Sequence, residues 1–328
     1  MKKLFEQLYA HQPLSSSQAQ EVLKAITEGA MNPAQIASFL TVYLMRPLTV
    51  EELSGFRNAM LELAVPFNAE RPSIDLCGTG GDSKNTFNIS TLSSFVVAAS
   101  GITVTKHGNY GVSSISGSSN VMEYFGYKFT NDRDTLLKQL DECNICFLHA
   151  PLFHPAMKSV APIRKELGVK TFFNMLGPLT NPAQPKTQCT GVFNLQLARL
   201  YNYLLEQEEK QYTVIHSLDG YDEISLTGKV RVLNSQGEHT LKSSDFNYKN
   251  LQAEELYGGE SIEESARIFT NILEGKGTRA QMAAVSANAG MAIHTANPDK
   301  GLKECVQLSE ELILSGKAKV IFTKLIKL

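Results

Sequence analysis

Apolar side chains recur at helical spacing throughout the first 65 residues of the chain. The clearest run ends before Pro47 and consists of Ile36, Phe39, Leu40, Tyr43 and Leu44. Polar capping residues mark three helix beginnings, which we predict at Ser17, Asn32 and Thr49. The pattern therefore predicts a small all-helical domain over residues 1–68. Its large apolar surface is expected to pack on further helices, either of this chain or of a partner subunit.

From residue 72 onwards, short apolar runs alternate with helical segments. The predicted strands are Ile74–Cys77, Ile102–Thr105, Ile145–His149 and Thr213–Ser217. This alternation predicts an α/β domain over residues 69–328 with a mainly parallel central sheet. Residues of about 155–185 interrupt the alternation, and we expect them to return to the helical domain as one wall of a cleft. Helices are predicted again near 133–141 and 195–209 and after Ser261, and two more over about 278–316.

A glycine-rich loop, Gly78-Thr-Gly-Gly-Asp82, lies between the first predicted strand and the next helix. Glycines let a backbone turn tightly and approach a ligand closely. The free N–H groups at the beginning of a helix favour phosphate. The motif is therefore typical of a phosphate site, although Asn88 and Ser90 could equally serve only to cap the helix.

A second loop rich in small residues follows the next predicted strand, over residues 113–120. Two such loops suggest a ligand with two separate phosphate groups. Lys106 is expected at the mouth of the second loop, where it would neutralise charge, or else as a solvated lysine. His107 either contacts substrate or is simply a hydrogen-bonded polar group at the end of a strand.

Three charged residues further along the chain are also candidates for chemistry. Asp222 and Glu223 follow a strand directly, and paired carboxylates near phosphates are suitable Mg²⁺ ligands, although the spacing fits a solvated acidic turn equally well. Arg164 lies in the predicted cleft wall, where a guanidinium could pair with a substrate carboxylate. An isolated arginine in such a position is otherwise a surface residue.

Composition narrows the class of protein. The chain has 328 residues and a formal net charge of −2, which argues against non-specific nucleic-acid binding. No apolar run is long enough to cross a membrane and no signal-type segment begins the chain, so we expect a cytoplasmic protein without membrane contact. Five cysteines are an odd number, typical of a reducing compartment. Cys143 and Cys146 form a C-x-x-C pair, but no second pair completes a zinc site.

Four motifs, in this order and approximate spacing, resemble the anthranilate phosphoribosyltransferase family of tryptophan biosynthesis. They are GTGGD with FNIST, KHGN with its following serines, HPAMK through RKELGVKTFFNMLGPLTNPA, and DGYDEISLTG. The resemblance covers nearly the whole chain, whereas GTGGD and KHGN alone also occur in pyrimidine nucleoside phosphorylases of similar fold. It implies a helical lobe and an α/β lobe, a homodimer formed through the helical lobe, and transfer of phosphoribosyl from phosphoribosyl pyrophosphate (PRPP) to the amine of anthranilate.

The resemblance also implies a site, residue by residue. PRPP would be held by Gly78, Gly81, Asp82, Thr86, Asn88, Ile89, Ser90, Thr91, Lys106, His107, Gly108, Asn109, Ser113, Ser114 and Ser118. Anthranilate would be received by Gly78, Asn109 and Arg164, with His107 and Arg164 as the catalytic residues, and Mg²⁺ by Ser90, Asp222 and Glu223. Three positions depart from the family pattern: Tyr110 replaces an arginine, and Asn120 and Ala280 replace aspartates.

Two other functions fit parts of the sequence. A pyrimidine nucleoside phosphorylase would carry a serine and a lysine after the arginine, where this chain has Thr171 to Gly177. A nucleic-acid-binding relative of the same fold would need a basic groove, against which the net charge and the Asp222-Glu223 pair argue. The chain shows no Ser-His-Asp or Cys-His arrangement, which fits a displacement in which the arylamine needs no strong base.

Overall fold

The computed structural model describes residues 1–111 and 116–328. Seven strands form a single sheet: β1 (Ile74–Leu76), β2 (Val104–Gly108), β3 (Ile145–His149), β4 (Thr187–Gly191), β5 (Gln211–Ser217), β6 (Val230–Asn234) and β7 (Gly237–Leu241). The α-helices in the described ranges are α1 (Lys2–Tyr9), α2 (Ser16–Thr27), α3 (Pro33–Met45), α4 (Val50–Glu62), α5 (Ile89–Ala99), α6 (Ser118–Tyr124), α7 (Arg133–Cys143), α8 (Ala150–Phe153), α9 (Ala161–Leu167), α10 (Leu195–Glu206), α11 (Ile262–Leu273), α12 (Arg279–Ala296), α13 (Leu302–Leu314) and α14 (Lys317–Lys327). None of them is long and apolar enough to cross a membrane.

The strand order in the sheet is β3-β2-β1-β4-β5-β6-β7. The first five strands in this order are parallel, and β6 and β7 add an antiparallel edge. The prediction of a mainly parallel sheet beside a helical bundle is therefore confirmed. Because β1 has β2 on one side and β4 on the other, chain connections diverge at its carboxyl end, which is where such sheets bind ligands.

Strand β2 is shifted relative to its prediction, which placed it at Ile102–Thr105. It pairs in register with β3 from Val104 opposite Ile145 to Gly108 opposite His149. Lys106 and His107 are therefore inside the strand, and both are buried. The hydrophobic pattern could not extend the strand this far because these two buried side chains are polar.

The helical bundle consists of α1 to α4. Side chains of Asn32 and Thr49 cap α3 and α4 as predicted. The prediction of Ser17 as the cap of α2 was wrong, because Ser15 accepts the hydrogen bond from the Gln18 N–H. Leu14 before this cap and Ala19 after it are both buried in the same hydrophobic cluster, at the two positions that a hydrophobic staple uses, which favours the first of the three consecutive serines.

Residues 155–179 contribute to the same hydrophobic cluster as the bundle. Phe172 stacks on Phe56 of α4 with ring centroids 4.4 Å apart. This segment contains three short 3₁₀ turns, Pro155–Ser159, Phe172–Met175 and Gly177–Leu179. It carries Arg164 toward the carboxyl end of the sheet. The exact boundary at residue 68 stays a prediction.

The far end of the chain forms one helix more than predicted. Gly316 adopts a left-handed conformation with φ of +73° and separates α13 from α14. Helix α14 packs Ala318 and Leu325 into the α/β core. Cys143 and Cys146 are buried, free thiols at the end of α7 and in β3, so their spacing reflects core packing.

Candidate active site

A cleft of about 270 Å³ opens at the carboxyl end of β1 and β2. It brings together all the sequence-predicted site residues that the structure describes: Gly78, Gly81, Asp82, Thr86, Asn88, Ile89, Ser90, Thr91, Lys106, His107, Gly108, Asn109, Ser118, Arg164, Asp222 and Glu223. The predicted Ser113 and Ser114 lie outside the described residues. Residues that the sequence reasoning missed also line the cleft, among them Thr79, Phe173 and Asn174.

The first glycine-rich loop is attached to the acidic turn by direct contacts. The Gly80 N–H donates to Asp222 Oδ2 at 2.7 Å, and the Thr79 N–H donates to the Gly191 carbonyl oxygen at 2.9 Å. Gly80 and Gly81 have φ of +62° and +77°, which side chains rarely tolerate. A Cβ at Gly78 would lie 2.7 Å from Asp222 Oδ2. Glycine at these positions is therefore required both by conformation and by the closeness of Asp222.

Helix α5 begins behind this loop without a side-chain cap. Asn88 points away from the helix, and its Nδ2 donates to the Ser116 carbonyl oxygen at 2.9 Å. Its buried Oδ1 has no hydrogen-bond partner among the described residues. The interpretation of Asn88 as a mere cap is therefore wrong. The uncapped end of an eleven-residue helix, with its positive dipole end at the cleft, is a suitable anion site.

The acidic turn is not a solvated surface turn. Asp222 is buried and Glu223 is half-buried, and Asp82 lies close enough to both to act on their charge. Burial, reinforced by repulsion from the neighbouring carboxylates, raises the pKa of Asp222 well above its usual range. Burial likewise raises the pKa of Glu223 to about 7, although Lys106 and Ser90 counteract the increase. Clustered, desolvated carboxylates of this kind are stabilised by a divalent cation.

The structure also limits the metal prediction. Among residues 1–111 and 116–328, no three His, Cys, Asp or Glu side chains converge as a ready-made metal site. The predicted set of Ser90, Asp222 and Glu223 contains only two carboxylates and a hydroxyl. Such a set fits Mg²⁺, which commonly takes one or two carboxylates and completes its octahedron with water and substrate phosphate.

Lys106 does not stand at the mouth of the second loop, as the sequence suggested. Its side chain is only 2% exposed, and Nζ donates to the Leu76 carbonyl oxygen at the end of β1. Burial raises the pKa of Asp75 to about 6 and that of Glu223 to about 7, and the charge of Lys106 counteracts both increases. Lys106 thus acts beneath both loops, because the strand extends further than predicted.

His107 is held in one tautomer. Its Nδ1 lies 2.9 Å from the Gly177 carbonyl oxygen, which can only accept, so Nδ1 carries the proton. Its backbone N–H donates to the buried Asp75 Oδ1 at 3.1 Å. Burial and the neighbouring His154 lower the pKa of His107 to about 3, so the ring is neutral. Nε2 therefore carries a lone pair and has no partner among the described residues.

The second loop is anchored by Asn120, which accepts from both the Gly111 and the Gly117 N–H at 3.0 Å through Oδ1. An aspartate would place the same acceptor there, so this departure from the family pattern preserves the geometry and removes one negative charge. Tyr110 donates from its hydroxyl to Glu123 at 2.6 Å and packs edge-on against the His149 ring. Ala280 is buried on α12 and does not line the cleft.

Arg164 forms the opposite wall of the cleft. Its Nη2 donates to Asn174 Oδ1 at 3.2 Å, and the guanidinium carbon lies 5.3 Å from the centre of the Phe173 ring. No carboxylate among the described residues pairs with it within 4.0 Å, so the cation is unneutralised. Burial lowers the pKa of Arg164 from its ordinary value. Phe173 and Asn174 could have been found from the TFFN stretch, which the sequence analysis used as part of a family motif and as an argument against a phosphorylase, without assigning a role to either residue.

Comparison with known proteins agrees with this geometry. Residues 2–64 match the helical bundle domain of the glycosyl transferase family, and residues 70–319 match its a/b domain. The chain is 56% identical to the anthranilate phosphoribosyltransferase of Christiangramia forsetii, over 100% of this chain and 99% of the relative.

Solved structures give the same result. The anthranilate phosphoribosyltransferase (TrpD) of Thermus thermophilus superposes with a TM-score of 0.92 at 34% identity, covering 98% of both chains. The Saccharomyces cerevisiae enzyme, in a structure in complex with PRPP and Mg, gives 0.88 at 28% identity, covering 96% of this chain and 93% of that one. Another structure of the yeast enzyme contains 4-fluoroanthranilate. The chain therefore belongs to the anthranilate phosphoribosyltransferase family of glycosyl transferases, enzymes of tryptophan biosynthesis.

Proposed function

We propose that this cleft joins the amine of anthranilate to C1 of PRPP and releases pyrophosphate, using Mg²⁺. One observation carries the proposal: a single cleft holds the uncapped helix end, a glycine loop hydrogen-bonded to the buried carboxyl group of Asp222, and an unneutralised arginine. The helix end and the glycine loop suit a phosphorylated ligand, and the carboxyl groups beside the loop suit a cation. The arginine suits the carboxylate of an aromatic acid. Phosphate groups are the charged parts of PRPP, and the carboxylate is the charged part of anthranilate.

PRPP is assigned to the two loops. We place its pyrophosphate at Gly78 to Asp82 and at the beginning of α5, where free N–H groups and the positive dipole end face the cleft. Its other phosphate is assigned to Gly108, Asn109 and Ser118, together with Ser113 and Ser114 outside the described residues. Asn88 Oδ1, at the beginning of α5, supports the binding of PRPP between the two loops. A buried acceptor without a partner is costly in free energy unless a ligand hydroxyl donates a hydrogen bond to it.

Mg²⁺ is assigned to Asp222, Glu223 and Ser90. When bound there it supplies charge neutralisation for the departing pyrophosphate. The raised pKa values of the two carboxyl groups support this assignment, because a dication removes the repulsion that burial intensifies. The Gly80 N–H fixes Asp222, so the first loop and the acidic turn are positioned together.

Anthranilate is assigned to the wall formed by Arg164, Phe173 and Asn174. The carboxylate would pair with the guanidinium, as a planar fork suits a planar acceptor. The aromatic ring would lie near Phe173, and Gly78 and Asn109 would approach the amine side. This arrangement directs the amine toward the loops that hold the sugar.

The transfer forms a bond between the amine nitrogen and C1 while the bond from C1 to the pyrophosphate oxygen breaks. The arylamine is neutral, so its nitrogen becomes positively charged when it bonds to C1. It then loses one proton to water or to a phosphate oxygen. His107 with a pKa of about 3 is a weak base, so it contributes by accepting a hydrogen bond at Nε2. Most of the acceleration then comes from orienting the two substrates.

A homodimer in the cytoplasm completes the proposal. Leu44 and Met45 at the end of α3 are 47% and 73% exposed, and Tyr9 of α1 is 58% exposed on the same bundle. Exposed apolar side chains of this kind on the helical lobe support an interface there. Size-exclusion chromatography with light scattering should give twice the 36.1 kDa of one chain.

The deciding experiment follows anthranilate fluorescence on addition of PRPP and Mg²⁺. The proposal is supported if the anthranilate fluorescence is lost only when the protein, PRPP and Mg²⁺ are all present, and if pyrophosphate is released. Persistence of the signal, combined with phosphorolysis of thymidine or uridine in inorganic phosphate, would instead support the nucleoside phosphorylase alternative. Salt-dependent retention on nucleic acid without either activity would support the binding-protein alternative.

A further inference from the structure

Lys170 connects the segment that packs with the helical bundle to the first glycine-rich loop, whose Gly81 lines the cleft. It follows α9 in the segment that packs with the helical bundle, and it is exposed. Its Nζ donates to the Gly81 carbonyl oxygen at 2.6 Å and lies 3.3 Å from Ser83 Oγ. Gly81 belongs to the first glycine-rich loop, and Ser83 directly follows that loop. A side chain of the cleft wall therefore contacts the loop to which the pyrophosphate is assigned.

The charge of Lys170 is not neutralised in this position. Its two acceptors are a carbonyl and a hydroxyl, and within the described ranges no carboxylate lies within 4.0 Å of Nζ. A lysine ammonium has three donor hydrogens, so a phosphate oxygen can be added without losing the Gly81 contact. Pyrophosphate is strongly anionic, and Asp222 and Glu223 beside it are acidic as well. A further cation at this loop therefore has a physical role.

A short turn connects Lys170 to the arginine of the opposite wall. The Thr171 N–H and Arg164 Nη2 both donate to Asn174 Oδ1, at 3.0 Å and 3.2 Å. The turn that begins one residue after Lys170 thus also positions the group assigned to the anthranilate carboxylate. Lys170 therefore directly precedes the turn whose Asn174 orients Arg164.

We infer that Lys170 binds the pyrophosphate of PRPP and is the residue through which the helical lobe holds that group across the cleft. The inference rests on the proposed function, since it takes the pyrophosphate at the first loop. Lys170 lies within the quoted RKELGVKTFFNMLGPLTNPA motif, but the resemblance assigned no role to it.

The test uses the full-length protein with three substitutions: Lys170→Met, Lys170→Arg and, as the matched control, Lys158→Met. Lys158 is an exposed lysine of the same segment and, unlike Lys170, is not among the described residues that hydrogen-bond to Gly81 or Ser83. For Lys170→Met we expect the KM for PRPP and the Kd for inorganic pyrophosphate with Mg²⁺, measured by calorimetry, to rise together by about tenfold, the usual size of one partly exposed charge-assisted hydrogen bond. Lys170→Arg should restore both values to within about threefold of the wild type, because the charge and a donor remain. Lys158→Met should leave both unchanged.

The results separate this inference from the proposed function. Wild-type protein that does not consume anthranilate with PRPP and Mg²⁺ would overturn the function itself. Active wild-type protein with an unchanged Kd for pyrophosphate in Lys170→Met would overturn the inference alone. The inference would also be overturned if Lys170→Met and Lys170→Arg weakened pyrophosphate binding equally and both lowered the melting temperature. That pattern would show that Lys170 has a structural role.

Discussion

Replacement of Arg164 tests the assignment of the aromatic acid most directly. The guanidinium lies against Phe173 and its one hydrogen-bond acceptor among the described residues is the neutral amide of Asn174, so the free protein leaves its charge unneutralised. Arg164→Met removes the charge and keeps much of the apolar stem. Arg164→Lys keeps the charge and removes the planar fork.

The expected size follows from this environment. Burial has already removed part of the water around the guanidinium, and this lowers its pKa. A carboxylate that arrives there gains a charge-assisted interaction of about 1.5–3 kcal/mol. That energy corresponds to an increase of roughly 10- to 150-fold in the KM for anthranilate in Arg164→Met. Arg164→Lys should lie between this variant and the wild type.

Anthranilate fluorescence gives KM and kcat for both substrates. We expect the KM for PRPP to change little, because Arg164 lies on the wall of the cleft opposite the loops to which the phosphates are assigned. Arg267→Met provides the control, since Arg267 is an exposed arginine of α11 outside the cleft. Thermal unfolding without ligands should show no loss of stability in Arg164→Met, because no carboxylate partner is left behind. An unchanged KM for anthranilate in Arg164→Met would refute the assignment.

Three further predictions concern the rest of the site. Replacing Asp222 and Glu223 together by Ala should abolish the Mg²⁺ dependence of the rate and most activity, so normal activity with normal Mg²⁺ titration would contradict the metal assignment. Burial lowers the pKa of His154 to about 4, so below pH 6.5 the folded protein binds fewer protons than the unfolded chain and loses stability as the pH falls. His154→Leu should therefore lose about 1.4 kcal/mol less unfolding free energy than the wild type between pH 7.5 and pH 5.5 in urea titrations, and equal losses would contradict the neutral imidazole. A Cβ at Gly191 would stand 1.5 Å from the Asp222 carbonyl oxygen, so Gly191→Ala should cost about 3 kcal/mol and disrupt Mg²⁺-dependent activity. A Cβ at Gly301 meets nothing within 4 Å, so Gly301→Ala should leave activity unchanged and lower the melting temperature only slightly, through the loss of a good N-cap residue of α13.

The parts of the fold that depend on local patterns were predictable. Asn32 and Thr49 cap their helices because a cap needs only a side chain and an N–H a few residues away. The parallel sheet followed from the alternation of strands and helices. Errors arose where several local solutions were equivalent, as with the consecutive serines before α2, and where buried polar residues concealed the true extent of β2.

The candidate site was predictable as a set of residues but not as a set of contacts. Sequence motifs placed Gly78, Asp222 and Arg164 in one cleft, although they are far apart in the chain. They gave no indication that the Gly80 N–H holds Asp222 or that Asn174 orients Arg164. Such contacts join segments separated by ten to 142 residues, and no local pattern encodes them.

The chain's own residues determined the two lobes, the phosphate-type loops and the likeness to one enzyme family, because periodicity and motif spacing are properties of neighbouring residues. Only the tertiary structure decided which groups are buried and therefore how they are charged. It placed Lys106 beneath the loops, made His107 a neutral acceptor, and raised the pKa values of Asp222 and Glu223. The physical reason is that desolvation depends on what packs around a group, and here those neighbours come from distant segments of the chain.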